Sequence, residues 1–496
     1  MSDRLYGGWR PARGYGLGKL NERQTLAVLG AFAALLVTFI LASSRVLPFA
    51  ALGVVALAVA LFLVTALVPA PRYGVSLGGV VVVLFQSWRA RSRGYDQWES
   101  GVLTDSPRRH ELPGVLAPVM PISAEDGLGR PFGVLVDRRT GRLTIALRVA
   151  PVGTVLSDAG RTDLWVGQFA EWLASLGYQP TVMWVAITVE TTPAHGTEMV
   201  DYVEQNIDPS SPHTAQRILR EIAAAHRGTT ADVYTRVSIT FDPYQATQPP
   251  ADTAEAVAEV ARVLVGIEQQ LGLTGVSVLG RLQVWEWTHL LRSAFDPDSR
   301  AELSRLSERQ ELLAWADAGP VKMHEANDYL QHDSGWSVSY GLSALPQQNV
   351  ASSVLAPLMV PGRYHRRVTI TYQAIPADRA GEVVQKEADG SGFRKELRRR
   401  RQMNESEADR ADEQRARQAA VEQAHGAGVG LWGCYVTTTV TDPRRLPEAV
   451  SDVESRARGS KLRLRRCWGW QAAGFAATLG AGVYPPELSR RGRGTR

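Results

Sequence analysis

The chain has 496 residues, with 55 Lys and Arg against 50 Asp and Glu, a formal net charge of +5 and a pI near 9.2. That length exceeds one ordinary core, and so small a charge excess excludes a nucleic-acid binder defined by bulk charge. The two cysteines, Cys434 and Cys467, lie far apart with no CxxC spacing, which excludes a disulfide framework or a zinc site and suits a reducing compartment.

From Thr25 to Ser43 the sequence carries no charge for 19 residues, and from Val46 to Val68 none for 23. As helices rising 1.5 Å per residue, both runs are long enough for a bilayer core of about 30 Å, and the expectation is a transmembrane hairpin with spans at about 25–43 and 46–68. Arg4, Arg10, Arg13, Lys19 and Arg23 precede the first run, and Arg72, Arg89, Arg91 and Arg93 follow the second. The positive-inside bias then puts both termini in the cytoplasm, giving a multi-pass integral membrane protein of the cell membrane with the lipid bilayer as a partner. The apolar stretch Tyr73 to Trp88 is too short for a third span. It reads as an interfacial segment with Trp88 at headgroup depth, the alternative being a buried strand.

Beyond Tyr95 short β-type runs alternate with amphipathic helices. Gly141 to Val149 alternates as a strand does, Asp163 to Leu176 places Leu164, Val166, Phe169, Trp172 and Leu173 near one helical face, and Val182 to Val189 is the next strand. Then come a helix over 214–225, a strand over 231–241, a helix over 253–270 and a strand over 276–279, with further helices over 286–291 and 301–316. Gly335 to Leu342 opens a second strand-rich part. Asp378 to about His425 interleaves Arg and Glu at helix-compatible spacings and predicts a long solvated helix. A last cycle follows: strand 430–441, helix 446–458, strand 461–467, helix 471–478. The fold class is therefore α+β, with ferredoxin-like units in a cytoplasmic region behind the hairpin. The domain division is 1–95 for tail, hairpin and interfacial segment, 96–300 and 301–485 for two α+β units, and 486–496 for a basic tail.

No GxxxxGK[ST] string exists to cradle phosphates, no GxSxG elbow appears, and His324-Glu325 begins like a zincin helix but is followed by Asp328 where a second His is required. Carboxylates are scattered along polar faces. The sequence thus supplies no catalytic, cofactor-binding or metal-ligating residues, and the reading is a non-enzyme without a cofactor. The densest positive run, Arg394-Lys395 with Arg398 to Arg401, faces the acidic run Glu405 to Glu413 in sequence and lacks the aromatic platform of a nucleic-acid site.

The charged N-terminus, tight hairpin, basic interfacial segment and strand-helix-strand cycles together resemble a PrgI-like membrane subunit of conjugative type IV secretion systems. In this chain it is fused to a region similar to the N-terminal, non-motor part of a VirB-type secretion ATPase, as in actinobacterial integral membrane proteins of conjugative elements. The C-terminal stretch 430–485 carries the likeness, with Asp442, Pro443, Leu446, Gln471, Ala472 and Phe475 at the corresponding places. The chain departs from that family where the P-loop motor would begin. The resemblance implies a scaffold that anchors and docks a separate secretion ATPase within an oligomeric channel. An EccE-like membrane component of type VII secretion shares the same general plan and is the alternative.

Overall fold

In the computed structural model, residues 22–43, 49–70, 75–100, 112–153, 159–193, 197–225, 231–308, 312–346, 348–376, 378–382 and 428–488 are described. The chain starts with helices α1 (Glu22–Ser43) and α2 (Phe49–Leu67), a two-rung ladder of β1 (Pro69–Ala70) and β2 (Val75–Ser76), and helix α3 (Leu77–Ser92). Small residues let α1 and α2 approach: Ala27, Gly30, Ala31 and Ala34 face Val55, Ala58, Val59 and Phe62. Phe32, Phe39, Leu57 and Leu61 point outward. The Ser76 hydroxyl caps α3 by accepting from the Gly79 amide at 3.3 Å.

This region corrects the sequence expectation. Among the described residues no helix is long and apolar enough to cross a membrane. The transmembrane helices at about 25–43 and 46–68, the integral membrane assignment and the multi-pass cell-membrane localisation are overturned on that finding. Residues 77–88 of that apolar stretch form the first part of α3, and Gly78 brings α3 close to α2, since a Cβ there would lie 3.3 Å from the Thr65 carbonyl oxygen.

The rest of the chain builds β3 (Gln97–Glu99), β4 (Val119–Glu125), β5 (Pro131–Asp137), β6 (Arg142–Pro151), α4 (Ala159–Ser175), β7 (Val182–Pro193), α5 (Thr197–Asn206), α6 (His213–Ala225), β8 (Ala231–Phe241), α7 (Thr253–Gly272), β9 (Val276–Arg281), α8 (Val284–Phe295) and α9 (Arg300–Glu308). It continues with β10 (Lys322–Glu325), β11 (Leu330–His332), β12 (Gly335–Ala344), α10 (Ala356–Met359), β13 (His365–Ala374), β14 (Gly430–Val440), α11 (Leu446–Gly459), β15 (Arg463–Arg466) and α12 (Gln471–Ala477). The protein is thus a mixed α/β fold around one large antiparallel sheet of 13 strands.

The pairings reveal an internal repeat. In the first unit β7 pairs β8, β8 pairs β6, and β6 pairs β9 at one end and β5 of the β4-β5 hairpin at the other. In the second, β13 pairs β14, β14 pairs β12, and β12 likewise pairs β15 and β11 of the β10-β11 hairpin. The units join through β7 and β13, where Thr188 opposes Thr369 and their hydroxyls meet at 2.8 Å. Rotation about that pair carries Trp184 onto His365, Thr240 onto Thr439 and Thr144 onto Ser337. The hydroxyl pairs repeat too: Thr144 to Thr240 at 2.9 Å and Ser337 to Thr439 at 2.7 Å.

One face of the sheet is apolar and covered by helices. Ile145, Val185, Val237 and Ile239 pack on Val260, Leu264 and Ile267 of α7 and Trp172 of α4, while Val338, Val368 and Val436 pack on Val453 of α11. Apolar residues of α7 recur at 256, 257, 260, 264, 267 and 271, the stripe of a half-buried helix. The other face is covered by α8 and α12, which meet through Phe295 and Phe475 at a ring-centroid distance of 5.2 Å. Because both faces are covered, the central strands bury nearly every residue. The second face is lined by Thr and Ser hydroxyls. The predicted helix from 378 to 425, with Arg394 to Arg401 and Glu405 to Glu413, lies outside the described residues save for 378–382, as do the basic tails 1–21 and 489–496.

Candidate functional site

Strand β13 reads HRRVTITYQA, and its alternation sends successive arginines to opposite faces. Arg366 faces the helices and is fully engaged: it donates to the Leu358 and Val360 carbonyls at 2.9 and 2.6 Å and pairs with Asp452 at 3.1 Å. His365 and Arg367 face the hydroxyl-lined side, where the neighbouring β7 presents Glu190 and β8 presents Arg236. All four are buried.

Glu190 is the hub. Its Oε1 accepts from His365 Nε2 at 2.8 Å and from Arg300 at 3.3 Å, and its Oε2 accepts from Arg236 at 3.0 Å. Burial would raise this carboxyl, but the His365 hydrogen bond and the Arg236 charge hold it well below the usual range. An ionised Glu190 requires the proton of His365 on Nε2. Burial and the Arg300 charge push His365 down to about 4 despite that bond, so the ring is neutral at pH 7. Arg300 also donates to Thr192 Oγ1 at 2.6 Å.

Arg367 is fully buried, and none of its three nitrogens has a hydrogen-bond partner among the described residues. Its guanidinium lies 4.6 Å from the centroid of the Phe475 ring. Burial lowers its pKa to about 10, which leaves it charged. Positive charge is thus in excess around one carboxylate in a water-poor interior.

His365 and Arg300 of this cluster line a cleft of about 260 Å³ where the two units meet, bounded also by Thr192, Pro297, Asp298, Thr439 and Asp442, with Arg363 and Arg445 at its rim. Both rim arginines are exposed. The cleft sits at the end of β14, where Asp442 accepts from the Arg444 amide at 3.0 Å and Pro443 opens a short 3-10 turn.

A second polar chain beside it has the look of a nucleophile and base. His332 Nε2 is 2.7 Å from the Ser337 hydroxyl, which is 2.7 Å from Thr439 Oγ1. His332 Nδ1 donates to the Phe295 carbonyl at 2.6 Å. Both side chains are 0% exposed, and burial pushes His332 down to about 4. A substrate has no path to this serine, so the chain fastens β11 and β12 to α8.

No protein-family model and no curated protein matches the chain. The comparisons therefore add no support for secretion or conjugation.

The positions that carried the sequence resemblance act inside the fold. Gln471 is fully buried and accepts from the Ser339 amide at 2.8 Å, the Ala472 amide donates to Glu325 at 2.8 Å, and Phe475 packs under Arg367. Leu446 packs at the edge of the second helical core. His324 and Glu325 lie on β10, not on a helix, with His324 Nδ1 3.8 Å from Asp96. The basic run Arg394 to Arg401 is not among the described residues. Arg300, Arg363, His365 and Arg445 of the cleft, with Glu190 and Arg367 behind it, escaped sequence reading. The available signal was charge within β13, where His365 and Arg367 share a face inside a run of β-branched residues.

Proposed function

We propose that the chain is a non-enzymatic docking subunit whose two ferredoxin-like units engage a separate P-loop ATPase of a conjugation or type IV-like assembly. Apart from α5 and α6 between β7 and β8, the described elements β6, α4, β7, β8, α7, β9 and β12, α10, β13, β14, α11, β15 run strand, helix, strand, strand, helix, strand, with the fourth strand beside the first. The observation that carries the reading is the order β14, α11, β15, α12 in the second unit, the same succession of elements that precedes the motor in the ATPases that 430–485 resembles. The absence of a P-loop string from the whole sequence leaves hydrolysis to another chain. A non-catalytic role is supported by the Glu190 carboxylate buried behind the cleft, which is already shared by His365, Arg236 and Arg300 and is unsuited to moving a proton.

The test is affinity purification of the full-length tagged chain from its native cells, followed by identification of what accompanies it. A stoichiometric P-loop ATPase supports the reading. Recovery with only type VII core subunits, or substrate turnover by the purified chain alone, overturns it.

A further inference from the structure

The pseudo-twofold relation pairs the cleft with a second opening. Trp184 and Thr240 of the first unit stand where His365 and Thr439 stand in the second. In the first unit that opening is closed by the chain itself: the segment after α12, Ala481 to Leu488, runs across it and leaves a cavity of only about 30 Å³. Tyr484 stacks on Trp184 at 5.2 Å, and Glu487 reaches Arg142 at 3.2 Å. The matching segment after α8, Pro297 to Arg300, crosses the second opening but leaves about 260 Å³. Arg300 turns inward to Glu190 and Thr192, while Asp298 of that segment and Asp442 line the cleft together with the rim arginines Arg363 and Arg445.

We infer that the open cleft receives a short acidic peptide from a partner protein, in the way the first opening receives Ala481 to Leu488. The filled opening shows what such a groove takes: a short segment, helical over 485–488, bearing a carboxylate that meets an arginine. The open one offers two exposed guanidiniums at its rim, and behind them a buried cluster with positive charge in excess. Guanidinium forks match carboxylates in a bidentate manner, and a peptide fills a cleft of about 260 Å³ better than a small anion does. This inference rests on the docking-subunit reading for the kind of partner, but it concerns one cleft and is measured without any ATPase.

The experiment is fluorescence anisotropy of fluorescein-labelled hexaglutamate with the full chain, with hexalysine as a control. The expected result is saturable binding that falls at least about tenfold in the Arg363→Glu, Arg445→Glu double variant. The same affinity should persist in an Arg458→Glu, Arg463→Glu variant, which removes two exposed charges from the edge near β15. Thermal melting of both variants checks that each is folded. No binding by the native chain, or equal losses in both variants, overturns the inference. Displacement by inorganic phosphate at matched ionic strength would assign the cleft to a small oxyanion and also overturn it. Tighter hexaglutamate binding after replacing Glu405, Glu407, Asp409, Asp412 and Glu413 with their amides would make this chain's own acidic run the occupant. Failure to recover an ATPase from cells would leave the anisotropy result unaffected, so the two readings fail separately.

Discussion

A buried guanidinium without an acceptor carries a desolvation cost that its cation-π contact offsets only in part, since such contacts contribute about 0.5–2 kcal/mol. Arg367 is in that position, and Arg367→Met should therefore stabilise the fold by about 1–2 kcal/mol in urea titration. A loss of stability on that change would mean that the Arg367 charge is needed to balance Glu190. Glu190→Gln should act in the opposite sense, destabilising by about 3–5 kcal/mol, because it leaves Arg236 and Arg300 buried against a neutral amide. Acid should reveal the histidines. Burial depresses His332 to about 4, so between its unfolded value near 6.5 and about 4 the unfolded state binds a proton that the folded state refuses. Stability is full above pH 6.5 and falls as the pH drops through that window, by on the order of 3 kcal/mol from His332 alone. His365 adds a loss of the same sign. The check is a set of urea titrations from pH 7 to pH 4.5 on the native chain and on His332→Asn, which should be less stable at pH 7 and show a flatter decline.

At the scale of single elements, local chemistry explains both what is stable and what can be read. Helix α7 starts where Asp252 Oδ1 accepts from the Glu255 amide at 2.8 Å while the Glu255 carboxylate accepts from the Ala251 amide at 2.6 Å. Asp252→Ala should cost about 1 kcal/mol, measured as a shift in the urea midpoint at constant slope. That cap and the stripe from Ala256 to Leu271 made α7 legible, as the β-branched runs did for β8, which occupies the expected 231–241. Strand β12 was also expected from its composition, but its place as first strand of the second unit was not, because its partners β14 and β15 lie about a hundred or more residues away. The same distance hid the cleft: Glu190 and His365 are 175 residues apart, and no local pattern announces that two strands will meet edge to edge. The hairpin failed for a different reason. Apolar composition reports burial or lipid without distinguishing them, and among the described residues no helix is long and apolar enough to cross a membrane.

Across the whole molecule the two units are bound to each other more tightly than two domains in series would be. The sheet is continuous through β7 and β13, and each unit covers part of the other: the segment after α12 closes the first unit's opening, and the segment after α8 crosses the second's. The glycines of the C-terminal segment make its approach possible. Gly480 has φ +70, and a Cβ there would lie 2.7 Å from Ser238 Oγ, while Gly482 has φ +78 and would meet Thr144 Oγ1. A side chain at either position is strained by its backbone and pushed out by the hydroxyl beneath it. The consequence is a coupling that can be measured. Calorimetric and van't Hoff enthalpies should agree for the sheet body, giving one cooperative transition in place of two. Gly482→Val should lower the temperature of that single transition and make Trp184, now buried under Tyr484, accessible to a fluorescence quencher. Two resolved transitions, with only the later one sensitive to Gly482→Val, would show that the units fold independently and that the segment after α12 is an ornament on the first.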